Sequence, residues 1–278
     1  MRRVTIQGIA GCFHETAAHR FFGDEIEVVE CDNFEVLFDC LQADQQLLGV
    51  AAIENTIAGS LLPNHELLHK SGMQIIGEEK IRISHVLCAL PGETIDQIEE
   101  VRSHPIALMQ CGEFLKRLPH ARIVERDDTA GSAREIQQGQ LRHTAAICGA
   151  DAARMYGLEI LAPAIETNPH NFTRFLMLAH EGQYPIDKES LNKASFLFTL
   201  PHTQGSLSKI LTVLSFYDIN LTKIQSLPII GREWEYQFYI DVTFDNYTRY
   251  RQSVEAVRPL TSDFVVLGEY RECSNPTL

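Results

Sequence analysis

A short polar run stands out between apolar ones: Asn171-Phe172-Thr173-Arg174-Phe175. It gathers an amide, a hydroxyl and a guanidinium at the start of the apolar stretch 176–179, which reads as a buried strand. Thr173 and Arg174 are neighbours, so on a strand they point to opposite faces. One can face a cleft while the other braces it or reaches around. Glu54 and Asn55 follow the fully apolar run 48–53, with Ser60 a little further on. Polar residues at the carboxyl end of a buried parallel strand are where open α/β sheets bind ligands. Ser103 precedes His104-Pro105, and Pro105 suits the first turn of a helix. Gln110 lies one step off the apolar face of that helix, formed by Ala107, Leu108, Cys111, Phe114 and Leu115. Asp128 or Thr129 caps the helix after it. A small anion would need a locally positive site built from a few Arg and from helix N-termini, and these junctions are where such groups emerge.

One tempting motif is set aside. His65-Glu66-Leu67-Leu68-His69 matches the pattern that puts two imidazoles on one helical face as zinc ligands, with a Glu as base. The helix is short, ending near Gly72, and no third ligand follows at a suitable spacing. The segment reads instead as an amphipathic helix burying Leu61, Leu62, Leu67 and Leu68, and no metal is expected.

The elements that must position these residues alternate. Residues 4–7 form a strand, Gly8 to Gly11 a tight turn, and about 14–22 a helix, a common anion cradle. It is not the dinucleotide fingerprint, because Ala10 and Phe13 stand where that pattern needs glycine. A strand at 26–30 leads to a helix capped by Asn33, with Phe34, Leu37, Phe38 and Leu41 on one face. Residues 73–90 are strand-rich and cross into a second lobe, where strands near 98–102, 121–125, 144–148 and 158–161 alternate with helices. The last of those helices, 150–156, stops at Gly157. This grammar predicts two α/β lobes with largely parallel sheets, lobe 1 about 1–80 and 172–182, lobe 2 about 84–168, and a cleft between them.

Bulk properties exclude several classes. The chain has 278 residues, comfortable for two domains, with 45% hydrophobic and 22% charged residues. Its net charge of −13, with no Lys/Arg run, repels nucleic acid and anionic membrane. The N-terminus enters a strand at once, without a signal-like apolar region, and no apolar run approaches a membrane span. Seven scattered cysteines with no C-x-x-C pair read as reduced thiols in a cytoplasm.

Taken together, the pieces resemble the prephenate dehydratase family. The matching signatures are Gly8-x-x-Gly11-x-Phe13-His14-x-x-Ala17-Ala18, then Ala52-Ile53-Glu54-Asn55-Thr56-x-x-Gly59-Ser60, then Ser103-His104-Pro105-x-Ala107-x-x-Gln110-Cys111, then Asp128-Thr129-Ala130-x-Ser132-Ala133, and Asn171 to Phe175. They keep the family's order over about residues 4–180. One departure is Ile106, where the family often has Gln. The resemblance implies a two-lobed catalytic domain of the periplasmic-binding-protein type 2 kind, residues 1–182, acting without cofactor or metal. It implies that Thr173 is the catalytic residue and that Glu54, Asn55, Ser103, Gln110, Asp128, Thr129 and Arg174 bind substrate. Prephenate, a dianion, would lose CO2 and water together; arogenate, its amino acid analogue, is the close variant. A non-enzymatic amino-acid-binding regulator on the same scaffold is a third reading, which intact Thr173 and Asn55 oppose.

After a polar linker at 181–191 the pattern changes. The stretch 194–201 alternates, a helix over 206–217 buries Leu207, Ile210, Leu211 and Leu214, and a strand follows at 220–229. Trp234, Tyr236, Phe238, Ile240, Val242 and Phe244 alternate strictly; a helix with Tyr250, Val254 and Val257 and a strand at 264–269 complete the chain. The order βαββαβ is ferredoxin-like. Residues 193–272 resemble an ACT domain, an amino-acid-sensing module. That implies phenylalanine as effector, held around Gly205, Ser206, Leu207, Asn220, Leu221, Gln225, Ser226 and Leu227, and a homodimer or homotetramer. Gln225 and Leu227 stand where the family carries Glu and Arg, so two charges of the effector site are gone.

Overall fold

The computed structural model describes residues 1–200, 203–229, 231 and 235–274. Pro201 and Trp234, both read above as strand residues, lie outside them. Three sheets organise the chain. The first runs in the order Ile26–Cys31, Arg2–Gln7, Leu48–Asn55, Phe172–Ala179, Gln74–Arg82, with the short Gly59–Ser60 strand beside Leu48–Asn55. The helices Phe13–Phe22 and Phe34–Ala43 connect its first three strands, which are therefore parallel. The second sheet runs Glu159–Ala162, Val86–Ala89, Thr144–Cys148, Glu100–Ser103, Arg122–Glu125.

The expectation of largely parallel sheets needs correction, because both are mixed. Phe172–Ala179 is antiparallel to both neighbours, and Val86–Ala89 likewise. The cause is the route of the chain. The strands by which it enters a lobe at each crossing, Val86–Ala89 and Phe172–Ala179, run opposite to the strands set by βαβ crossovers. Gln74–Arg82 is also one continuous strand, where Glu78-Glu79 interrupts the apolar pattern. The lobe architecture is that of periplasmic-binding-protein-like folds.

Local signals behave as the residues dictate. Asn33 accepts the Val36 N–H at 2.9 Å and Asp128 accepts the Gly131 N–H at 2.6 Å, each capping its helix. The helix Leu62–Ser71 buries Leu68, but Leu62 points outward, so the apolar face is narrower than expected. No helix among the described residues is long and apolar enough to cross a membrane.

The C-terminal unit comprises Lys193–Thr199, helix Ser206–Phe216, Asn220–Pro228, Tyr236–Thr243, helix Tyr247–Val257 and Ser262–Tyr270. Its antiparallel sheet runs Asn220–Pro228, Tyr236–Thr243, Lys193–Thr199, Ser262–Tyr270, the ferredoxin-like order. One face carries the helices over Phe196, Phe198, Ile210, Leu214, Tyr250 and Val254. The alternate residues, Leu197, Tyr239, Leu267 and Tyr270, share a core with Ile53, Leu68, Ile75, Leu176 and Leu178 of the first lobe. Gly268 makes this contact possible: a Cβ there would lie 2.2 Å from the Ile75 carbonyl oxygen.

Candidate active site

Between the two lobes lies a cleft of about 390 Å³. Gln7, Phe13, His14, Asn55, Thr173 and Phe175 line it from the first lobe; His104, Gln110, Asp128 and Thr129 line it from the second. Ile83 and His85 sit where the chain crosses between them.

At its floor, Asn55 and Thr173 are direct partners across two antiparallel strands. Asn55 Nδ2 lies 3.0 Å from Thr173 Oγ1, 2.7 Å from Asn171 Oδ1 and 3.2 Å from the Phe172 carbonyl. The other end of the amide fixes its orientation. Asn55 Oδ1 receives the backbone N–H groups of Ile57 and Ala58 at 2.9 and 2.8 Å, and a backbone N–H can only donate. The NH2 end must therefore donate to Thr173 Oγ1. The threonine oxygen is an acceptor in this pair, and its own proton is left to donate elsewhere. Phe175, two residues on, faces the same cleft, as strand alternation requires.

Two histidines that were not singled out as site residues support this floor. His14 Nε2 accepts the Ala52 N–H at 3.3 Å, and its ring meets Phe175 edge-on with centroids 4.8 Å apart. Burial drives its pKa down to about 3, so the ring is neutral and keeps its proton on Nδ1. His85 Nε2 lies 3.1 Å from Gln110 Oε1, joining the hinge to the second lobe, and burial lowers its pKa too. Glu166 anchors the same crossing: its buried carboxylate accepts the His85 N–H at 2.9 Å and holds Arg82 at 3.3 Å. Phe13-His14 belongs to the first motif, so His14 had a signal; His85 and Glu166 had none.

The second wall is weakly anionic. Asp128 caps the helix Thr129–Gly139, and burial raises its pKa against the opposing effect of the Gly131 and Ala130 N–H groups. From the first lobe, the helix Phe13–Phe22 begins at the cleft with no side-chain cap on Cys12, so its orphan N–H groups suit an anion. The lobes also touch: Tyr156 Oη donates to the Ala10 carbonyl at 2.8 Å, and a Cβ on Gly11 would lie 2.9 Å from Ala152 Cα.

Three expected substrate ligands are not brought to the cleft. Ser103 is fully buried, its hydroxyl donating to the Ile147 carbonyl at 2.6 Å. Glu54 and Arg174 form the next register pair after Asn55 and Thr173 and so point out of the opposite face. There Arg174 meets Glu78, Asp241 and Tyr270, and Glu54 meets Lys223. His65 turns to the same interface, its ring edge-on to Tyr239 at 5.1 Å. Among the described residues no group of three or more His, Cys, Asp or Glu is arranged to hold a metal.

The residues expected to bind an effector fall on two neighbouring elements. Gly205, in the left-handed region at φ 78°, and Ser206 and Leu207 start the helix Ser206–Phe216. Asn220, Leu221, Gln225, Ser226 and Leu227 lie on the edge strand. Leu227 packs against the core shared with the first lobe, so Gln225 and Lys223 share its face.

Comparison with known proteins agrees with this architecture. A family model for prephenate dehydratase matches residues 4–183. Arogenate dehydratase 5, chloroplastic, of Arabidopsis thaliana is 36% identical over 286 residues, covering 96% of this chain and 67% of its own length. Arogenate dehydratase 1 of Petunia hybrida is 37% identical, covering 96% of this chain and 66% of its own length. The chain thus spans about two thirds of these curated relatives. Among solved structures, prephenate dehydratase from Arthrobacter aurescens in complex with L-Phe superposes with a TM-score of 0.86 at 26% identity, over 97% of this chain and 89% of its own. A protein described as a novel type of quorum-quenching acylase superposes at 0.87 with 25% identity, over 98% of each chain. On the family match and these identities, the chain belongs to the prephenate dehydratase family.

Proposed function

We propose that the chain is a prephenate dehydratase, converting prephenate to phenylpyruvate, CO2 and water. The observation that carries this is the orientation of the Asn55 amide, which makes Thr173 Oγ1 an acceptor and leaves its proton free to point into the cleft. In the elimination the electrons of the carboxylate C–C bond pass into the ring as it becomes aromatic. The ring C–OH bond breaks, and the departing hydroxyl needs a proton or a strong hydrogen bond. Thr173 supplies that bond, and Asn55 holds its oxygen in place. The uncapped start of Phe13–Phe22 and the amide of Gln110 receive the carboxylates. Neutral His14 and Phe175 fill the apolar floor beneath the ring.

A second reading, arogenate dehydratase, is favoured by the charge of the cleft. Among the described residues no lysine or arginine lines it, while Asp32 and Asp128 do. Arogenate carries an ammonium group where prephenate carries a keto group, and a carboxylate can receive the former. The names of the plant relatives point the same way. The deciding measurement sets phenylpyruvate formed from prephenate, by absorbance, against phenylalanine formed from arogenate, by amino acid analysis. Turnover of neither would reject the dehydratase.

The C-terminal unit reads as an ACT domain that senses phenylalanine and assembles the chain as a homodimer or homotetramer. Its βαββαβ order and the L-Phe complex of the Arthrobacter aurescens protein support this reading. Titration calorimetry with phenylalanine tests it: no heat and no change in activity reject the sensor. All seven cysteines are free thiols, in keeping with a reducing compartment such as the cytoplasm.

A further inference from the structure

Behind the Asn55–Thr173 pair lies a buried polar network that the proposed chemistry does not use. Arg174 sits at its centre with every guanidinium nitrogen engaged. Nε donates to Glu78 Oε2 at 2.6 Å, Nη1 to Asp241 Oδ2, and Nη2 to Tyr270 Oη at 2.9 Å. Ser195 Oγ donates to Asp241 Oδ1 at 2.5 Å and lies 2.7 Å from Tyr270 Oη. Lys193 Nζ reaches Glu78 Oε1 at 2.9 Å, and Lys223 Nζ reaches Glu54 Oε2 at 3.0 Å. Asp241, Tyr270, Ser195, Lys193 and Lys223 belong to the C-terminal unit; Arg174, Glu78 and Glu54 belong to the first lobe. Lys193 Nζ also lies 3.4 Å from Glu272 Oε1, so three cations meet the four carboxylates Glu54, Glu78, Asp241 and Glu272.

The placement is specific. Glu54 and Arg174 are the backbone neighbours of Asn55 and Thr173, paired in the next register. The strands bulge immediately afterwards, between Arg174 and Phe175. The two side chains that face the cleft and the two that face the C-terminal unit thus hang from the same two dipeptides. Lys223 lies on the edge strand Asn220–Pro228, on the face it shares with Gln225 and Leu227.

We propose that Arg174 is a positioning residue. Held by Asp241 and Tyr270, it sets the backbone from which Thr173 projects, and Lys223 does the same for Asn55 through Glu54. The C-terminal unit therefore adjusts the Thr173–Asn55 pair from behind, along a path of two ion pairs. This inference rests on Thr173 being the catalytic hydroxyl.

The test uses the full chain and whichever of prephenate or arogenate it turns over, with kcat, KM and melting temperature measured together. Asp241→Asn should lower kcat about tenfold and leave KM within about twofold, the scale of coupling between neighbouring sites. In a Thr173→Ala background the same change should lower kcat no further. Leu267→Ala, which only removes apolar packing from the same interface, should lower the melting temperature and spare kcat. The proposal is overturned if Asp241→Asn raises KM with kcat intact, or if kcat follows the melting temperature across both variants. Should Asp241→Asn not fold, Lys223→Met, which keeps the side chain's length, takes its place. A fall in kcat at unchanged KM supports the link, and an unchanged kcat overturns it. Failure of the catalytic assignment is separable, because Thr173→Ala alone would then keep full turnover.

Discussion

The two faces of the Leu48–Asn55 and Phe172–Ala179 pair differ in how they treat polar groups. On the cleft face stand an amide and a hydroxyl, both neutral, in a network that leaves the Thr173 proton uncommitted. On the opposite face, one residue away, stand a carboxylate and a guanidinium whose partners occupy every nitrogen of Arg174. Burial disfavours charge there, yet Asp241 and the other anions hold the Arg174 pKa well above its usual value. Burial likewise opposes ionisation of Glu78 and Asp241, and the neighbouring cations still keep both pKa values low. A group meant to react must keep a bond unmade for its substrate, whereas a group meant to fix a domain cannot. Alternation along a strand lets two consecutive residues serve these opposite ends.

The contrast can be broken first at the front. Thr173→Ala should cut kcat by about 10²–10⁴-fold, the weight of a general acid, in a substrate-depletion assay with an unchanged melting temperature. Asn55→Asp keeps the shape but reverses the hydrogen bond, since a carboxylate must accept the Thr173 proton. It should cost about 10²-fold in kcat, near the effect of losing one preorganised donor. At the back, Gly268→Ala would drive a methyl into the Ile75 carbonyl and should destabilise the fold by about 1–3 kcal/mol in denaturant melts. The fold should also show a pH slope. His14 and His65 have folded pKa values lowered from 6.5 to about 3 and about 4, mainly by burial. The unfolded chain therefore binds more protons as pH falls from 6.5 towards 4, and each histidine should cost up to about 1.4 kcal/mol of stability per pH unit there. Glu78 and Asp241 act lower down. Their lowered pKa values stabilise the fold above the ordinary 4.5 and 3.8, and that contribution is lost only as pH falls beneath those values. His65→Gln should flatten the upper part of a melting-temperature profile and leave the acid limb in place; an unchanged slope between pH 6.5 and 4 would contradict the burial argument.

Much of this was legible in the residues. Helix caps are local chemistry, so Asn33 and Asp128 could be read directly. The βαββαβ order followed from alternation and helical spacing. Alternation also separated Thr173 from Arg174, but it could not say which of them faced the cleft. That choice depends on Asp241 and Tyr270, some seventy and a hundred residues away in the chain, arriving behind the sheet. The same distance hides the role of Glu78, which reads as a break in an apolar strand until Lys193 and Arg174 surround it. Ser103 carried a motif signal, yet its hydroxyl is spent on the Ile147 carbonyl in the core of the second lobe. The direction of the crossing strands was hidden for a different reason: local pattern marks a strand but not the end from which it enters a sheet.

The contact between Gly11 and Ala152 has a further consequence. A Cβ there would meet the Ala152 backbone and its methyl, so the approach of the two lobes at this point rests on the absence of one methyl group. Alanine at residue 11 would be a wedge as well as a strained residue, since φ is 88°. With the mouth propped open, each wall would keep its own ligand contacts but water would stay in the cleft. Such a variant would bind its substrate and release it unchanged, which would separate capture from conversion in a single substitution.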